Sequence, residues 1–185
     1  MKFFKPLLSV LLALLLYSFQ LQAQHTPDPH NSGKDHGYRH FRCSVVLDHT
    51  YIGTETLKGK DYLVVPAIGL DAEYWFNGKW GVGLHNDIEL ITYEVRREGA
   101  EHLFERHAPL LLTVDGLWKP AHHFVFLIGP GVELEEHETL LVLRGGVEYE
   151  IELSSHWDIS PTIFYDTRLH AYDTFSVGIG IGKRF

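Results

Sequence analysis

The side chains able to do chemistry in this chain are imidazoles, carboxylates and a few hydroxyls. Four histidines, His25, His30, His36 and His40, alternate with Asp28 and Asp35 near the N-terminus. Imidazole and carboxylate together bind divalent Zn, Cu or Ni. The spacing is irregular, however, and no cysteine completes a closed site, so a solvated tail that happens to be rich in His competes with a metal tail. A second cluster, Ser154-Ser155-His156, places hydroxyls beside a potential general base. Nucleophile–base pairs are recognised by geometry and not by order, and a hydroxyl next to an imidazole in sequence is not yet a triad. His49, His102, His107, His137 and His170 are scattered, with no Ser beside any of them on the same strand face.

The N-terminus says which compartment these groups would work in. Residues 1–24 have a basic start (Lys2, Lys5), an apolar run from Leu7 to Leu16 and a polar end, which reads as a cleavable signal peptide cut after Ala23 or Gln24. The apolar run is shorter than the roughly 20 residues that a spanning helix needs. No Cys stands directly after the cut, which argues against a lipid anchor, and Cys43 has no second cysteine to pair with. Removal of the two lysines makes the formal net charge of −8 two units more negative, a balance unsuited to nucleic acid. Residues 25–40 are polar, contain Pro27, Pro29 and Gly33, and have no apolar period, so a disordered His-rich tail is expected there.

From residue 41 onward apolar and polar side chains alternate, which puts them on opposite faces of extended strands. The pattern predicts eight strands, about Phe41–Thr56, Tyr62–Phe76, Trp80–Val95, Phe104–Trp118, Phe124–Glu135, Leu140–Leu153, Trp157–Thr167 and Tyr172–Phe185. An even count lets an up-and-down barrel bring both chain ends out on one side, and eight is the smallest common size. At Phe76-Asn77-Gly78-Lys79-Trp80 only an odd connection, with Phe76 opposite Trp80, keeps apolar side chains on one face of both strands. Pro66, Pro130 and Pro161 each remove a ladder donor, which bears on whether the sheet closes.

Three features predict that the apolar face looks outward to lipid. The polar face carries Gly69, Gly81, Gly83, Gly129, Gly131, Gly178, Gly180 and Gly182, suited to a crowded interior. Trp75, Trp80, Trp118 and Trp157 flank the connections after strands two, four and six, at the same end as Phe185, as an aromatic girdle would. Those connections are short, whereas the longest, Arg96 to Leu103, lies at the other end.

With the leader, the eight alternating strands and the terminal Phe185, the chain resembles the small eight-stranded bacterial outer-membrane β-barrels of the OmpX/OmpA type. The Ala23-Gln24 junction is similar to signal ends of Bacteroidetes. The resemblance covers about residues 41–185. It implies residence in the cell outer membrane, contact with outer-membrane lipid, and recognition of the C-terminal strand by the barrel-assembly machinery.

On this assignment the interior holds a charge network that includes Arg42, Asp71, Glu73, His85, Asp87, Glu89, Asp115, Glu133, Arg144, Glu148 and Arg184. Buried carboxylates need cations, water or a proton, and an eight-stranded barrel is just wide enough for its own side chains to fill. Arg144 is expected opposite Gly131, within reach of Glu133. Some barrels of this type act on lipid A acyl chains with Ser, His and a carboxylate near the outer rim, but Ser154-Ser155-His156 falls at the short-turn end. The sequence therefore predicts a non-enzymatic barrel with a structural or envelope-associated role and no cofactor. A metal-binding envelope protein is the alternative, and a lipid A-modifying enzyme is the third reading.

Overall fold

Alternation decides the local structure. From Arg42 to Ile52 every even-numbered side chain is buried, and the odd ones between them are exposed or half-buried. The computed structural model describes residues 39–56, 59–96, 103–135, 138–169 and 171–185. The expected leader, and the expected tail up to residue 38, lie outside these residues. The strands are β1 His40–Thr56, β2 Gly59–Trp75, β3 Trp80–Glu89, β4 Thr92–Arg96, β5 Leu103–His107 and β6 Leu110–Trp118, followed by β7 Phe124–Leu134, β8 Thr139–Tyr149, β9 Ile151–Glu152, β10 Trp157–Arg168 and β11 Asp173–Arg184.

These segments build eight antiparallel walls, because β4 continues β3, β5 leads into β6 and β9 extends β8. Each wall pairs with the next, and β1 pairs with both β2 and β11, so the sheet closes on itself. The closing ladder runs from Arg42 opposite Arg184 to Ile52 opposite Thr174. It is extended by the Phe185 N–H donating to the Phe41 carbonyl at 2.8 Å, with a reciprocal bond at 3.3 Å. Closure survives the prolines: Pro66 stands opposite His49, Pro130 opposite Leu143 and Pro161 opposite Ile179, with pairing continuing on both sides. A proline deletes one ladder donor and leaves the neighbouring bonds in place.

Register follows the face-matching argument at the first short turn. Trp75 pairs with Gly81, and the Phe76 N–H donates to the Trp80 carbonyl at 3.0 Å. The Asn77 side-chain oxygen accepts the N–H groups of Lys79 and Trp80 at 2.9 and 3.0 Å, an Asx-type closure of a three-residue connection. Two walls expected to be continuous are bent. Leu90 and Ile91 oppose Ala108 alone, and beyond this bulge β4 and β5 form a separate two-stranded ribbon. Ala108 takes φ 44° there. The bend moves the buried positions from odd (Pro109, Leu111, Thr113) to even (Arg106).

The interior is layered along the strands. Towards the short turns, Trp75, Leu117, Val125 and Leu127 pack with Phe164. Towards the β4–β5 ribbon, Ile52, Val65, Tyr93 and Val95 pack with Leu63 and Tyr172. Charged side chains occupy the levels between, and the Lys119–Glu150 pair lies at the short-turn end beyond Leu117. Outside, Leu47, Leu84, Val114, Ile128, Leu141 and Ile179 are among many exposed apolar residues.

The tail's expected end at residue 40 is corrected. His40 opens β1 opposite Trp75, and the two rings stack with centroids 6.2 Å apart. It belongs to the wall because the alternation of β1 begins with it.

Candidate functional site

The site is the charged interior, with its residues delivered by the inward parity of the strands. Among the described residues eleven buried carboxylates face five buried Lys or Arg side chains and His85. Of the residues expected there, Arg42, Asp71, Glu73, His85, Asp87, Glu89, Asp115, Glu133, Arg144 and Glu148 are all buried.

Arg42 organises the level towards the short turns. Its Nη2 donates to Asp158 Oδ1 at 2.8 Å and to Ser160 Oγ at 2.9 Å, and its Nη1 pairs with Glu73 and reaches Glu148 Oε2 at 3.3 Å. Gly182 makes this possible, since a Cβ there would run into the Arg42 guanidinium and the Asp158 carboxylate. Beside this group the His85 ring lies over Gly83, in space that a Cβ would occupy. Its Nδ1 is 2.7 Å from Asp115 Oδ2, which also accepts from Thr113 Oγ1 at 2.6 Å.

Arg144 holds the next level. Its Nε and Nη2 donate to the two oxygens of Asp166 at 2.7 and 3.0 Å, Nη2 lies 2.6 Å from Asp87 Oδ2, and the guanidinium sits 4.8 Å above the Phe164 ring. The expected pairing with Glu133 is corrected: Arg144 stands opposite Gly129, and Gly131 opposite Val142. The two-residue offset keeps the face but changes the partners. Glu133 belongs to a level nearer the ribbon, where it pairs with Arg106 and Arg168 and accepts the Tyr172 hydroxyl at 2.9 Å.

Arg184 is the second correction. It is part-exposed at the rim, where Nη1 donates to Glu152 at 2.9 Å and Nε lies 3.9 Å from Asp158. As the last residue of β11 it has left the enclosed levels. Trp75 is the third correction. It was expected in the interface girdle, but it is 2 % exposed and its indole N–H donates to Glu73 at 2.8 Å, whereas Trp80 is 55 % exposed. Trp75 shares the parity of Asp71 and Glu73, so it points inward with them. Trp80, Trp118, Trp157 and Phe185 are exposed as expected, with Trp80 and Trp118 stacked at 6.1 Å and the Lys183 ammonium over both Trp157 and Phe185.

Two interior cations, Arg106 and Arg168, escaped the sequence reading. Arg168 shares the even parity of Asp158 and Asp166 and lies one residue past the expected end of its strand, so parity alone would have found it. Arg106 could not be found that way because the bend at Ala108 changes the face.

Ser154, Ser155 and His156 form an exposed 3₁₀ turn. His49 and His107 are exposed, and His107 Nδ1 lies 2.7 Å from Thr92 Oγ1. His25, His30, His36, His102, His137 and His170 lie outside the described residues.

Known structures share this architecture. A structure of Ail, the attachment invasion locus protein of Yersinia pestis, in complex with the heparin analogue sucrose octasulfate, superposes with TM-score 0.55 at 15 % identity. A second structure of Ail gives 0.53 at 16 %. Each comparison covers 80 % of this chain and 99 % of Ail. The fold is that of the small outer-membrane β-barrels. At such identity the likeness extends to the fold alone. No protein-family model matches the chain, and no curated protein matches it in sequence.

Proposed function

We propose that this chain is an integral outer-membrane β-barrel that acts without catalysis, with an interior filled by its own charged side chains and a structural or envelope-associated role. The observation that carries the membrane-barrel reading is the inversion of the wall. Carboxylates and guanidiniums are buried inside, while Val45, Leu47, Leu84, Ile128, Leu141, Ile179 and Ile181 stand exposed outside. A soluble barrel of this size packs its apolar residues inward, and a continuous apolar belt in water invites association. Lipid is the partner that covers such a belt.

Cell fractionation tests this reading. The folded chain is expected with outer membranes, and its migration on gels should shift on boiling because a closed barrel resists detergent until heated. Recovery in the soluble periplasm would contradict it. The assembly machinery is the second proposed partner, through β11 and Phe185. Deletion of Phe185 should then lower the yield of folded barrel in cells more than Phe175→Ala, which removes only an outward contact. Equal yields would remove that partner.

A further inference from the structure

We propose that Asp71, His85 and Glu148 form a divalent-metal site inside the barrel, for a transition ion of the zinc class, separate from any binding by His25, His30 and His36. The first support is geometric. One donor atom from each of the three lies within 4.8 Å of the others. Bonds of about 2.0 Å in tetrahedral geometry put ligand atoms roughly 3.3 Å apart, so rotation of two carboxylate side chains closes the remaining gap. Register builds the pair on the wall: Ala72 opposite Leu84 sets Asp71 opposite His85. Glu148 reaches in from β8, with Oε1 3.9 Å from His85 Nε2.

The second support points to a ligand independently. His85 Nε2 and Glu148 Oε1 are fully buried and have no hydrogen-bond partner. Each is free because the opposite end of its own side chain is engaged. Asp115 takes Nδ1 of His85, and Arg42 takes Oε2 of Glu148. A carboxylate on Nδ1 places the proton there and leaves the Nε2 lone pair for a metal, the arrangement that commonly orients histidine ligands. Thr113 in turn holds Asp115.

Charge favours the same occupant. Asp71, Glu73, Asp115 and Glu148 gather around His85, against Arg42, which pairs with Glu73 and Glu148, and the more distant charge of Arg144 acting on Asp71. A dication between Asp71 and Glu148 neutralises part of the excess without requiring another side chain. One imidazole nitrogen and two carboxylate oxygens suit Zn²⁺, Co²⁺ or Mn²⁺ better than Cu⁺, which prefers sulfur. Trp75 and Leu117 pack on the short-turn side, so loading is expected while the barrel folds.

The test uses the full mature chain carrying H25Q, H30Q and H36Q, refolded into detergent with Zn²⁺ and then passed through a chelating resin. One ion per barrel should remain, and its X-ray absorption should show a single imidazole with oxygen neighbours. Glu148→Gln and His85→Gln in the same background should each lower the retained metal at least tenfold while keeping the heat-dependent gel shift. Asp115→Asn, which acts through His85, should weaken binding about 10–100-fold. No retained metal in the parent, two or more imidazoles on the ion, or undiminished retention in folded Glu148→Gln would each overturn the site. The absorption spectrum is taken on the parent with the site intact, so it decides the matter even if His85→Gln fails to fold.

Discussion

The two faces of one wall behave as different solvents. Residues 143 and 144 are neighbours on β8, yet Leu143 is 45 % exposed on the apolar surface while Arg144 is enclosed between Asp87 and Asp166. Trp75 and Trp80 stand on either side of one short turn, and again one is inside and the other outside. A single step along a strand exchanges lipid-type contact for a desolvated ion pair. Inside the barrel the value of a side chain is set by its partners, and outside it is set by apolar area. Substitutions should therefore cost very different amounts at adjacent positions.

The largest contrast is expected between Arg144→Met and Leu143→Met. Removing Arg144 strands Asp87 and Asp166, a loss of about 3–5 kcal/mol when a buried pair is broken. Leu143→Met exchanges one apolar contact for another and should cost less than about 1.5 kcal/mol, the usual limit for such swaps. Urea unfolding in detergent measures both. Equal effects would mean that Arg144 does not face an enclosed interior.

The tryptophans sharpen the contrast at the short-turn end. Trp75→Ala empties the cluster with Leu117, Val125, Leu127 and Phe164 and removes the hydrogen bond to Glu73, so about 3–5 kcal/mol is expected by the same measurement. Trp80→Ala, outside the ring of walls, should cost clearly less. A larger loss at Trp80 would put the weight of the fold on the girdle instead.

The smallest effect belongs to the rim, where the two environments meet. The hydrogen bond from Arg184 is the main cause holding the Glu152 carboxyl below its ordinary value of 4.5. Glu152 is half exposed, so solvent screens the pair and less than about 1 kcal/mol is expected. A carboxyl lowered on folding contributes fully above its unfolded value and loses that contribution as pH falls through its folded value. Arg184→Gln should therefore destabilise slightly at pH 7, with the difference from wild type shrinking as pH drops below about 4.5. A difference that grows on acidification would contradict the pairing.

Most of this architecture was legible because barrel strands obey a period of two. Asp71, Glu73, His85, Asp115 and Glu148 each follow from parity within one strand, and so does Trp75 once Glu73 beside it is taken as inward. Grouping Trp75 with the girdle gave residue type precedence over parity. What sequence could not supply was register between strands and the sites of bends. Arg144 kept its face but met Asp87 and Asp166 in place of Glu133, because a two-residue slide leaves every face unchanged. Arg106 was hidden by the bend at Ala108 and Pro109. The grouping of Asp71, His85 and Glu148 depends on how three walls curve around one axis, which no spacing along the chain records.

The central claim, that the apolar face meets lipid and the charged face is enclosed, is tested most directly by tryptophan quenching in bilayers containing brominated lipid. Four variants are needed, each keeping one tryptophan and carrying Phe at the other three. Trp80, Trp118 and Trp157 should be strongly quenched and Trp75 nearly unaffected. Strong quenching of Trp75 with the other three spared would mean that the wall is turned the other way.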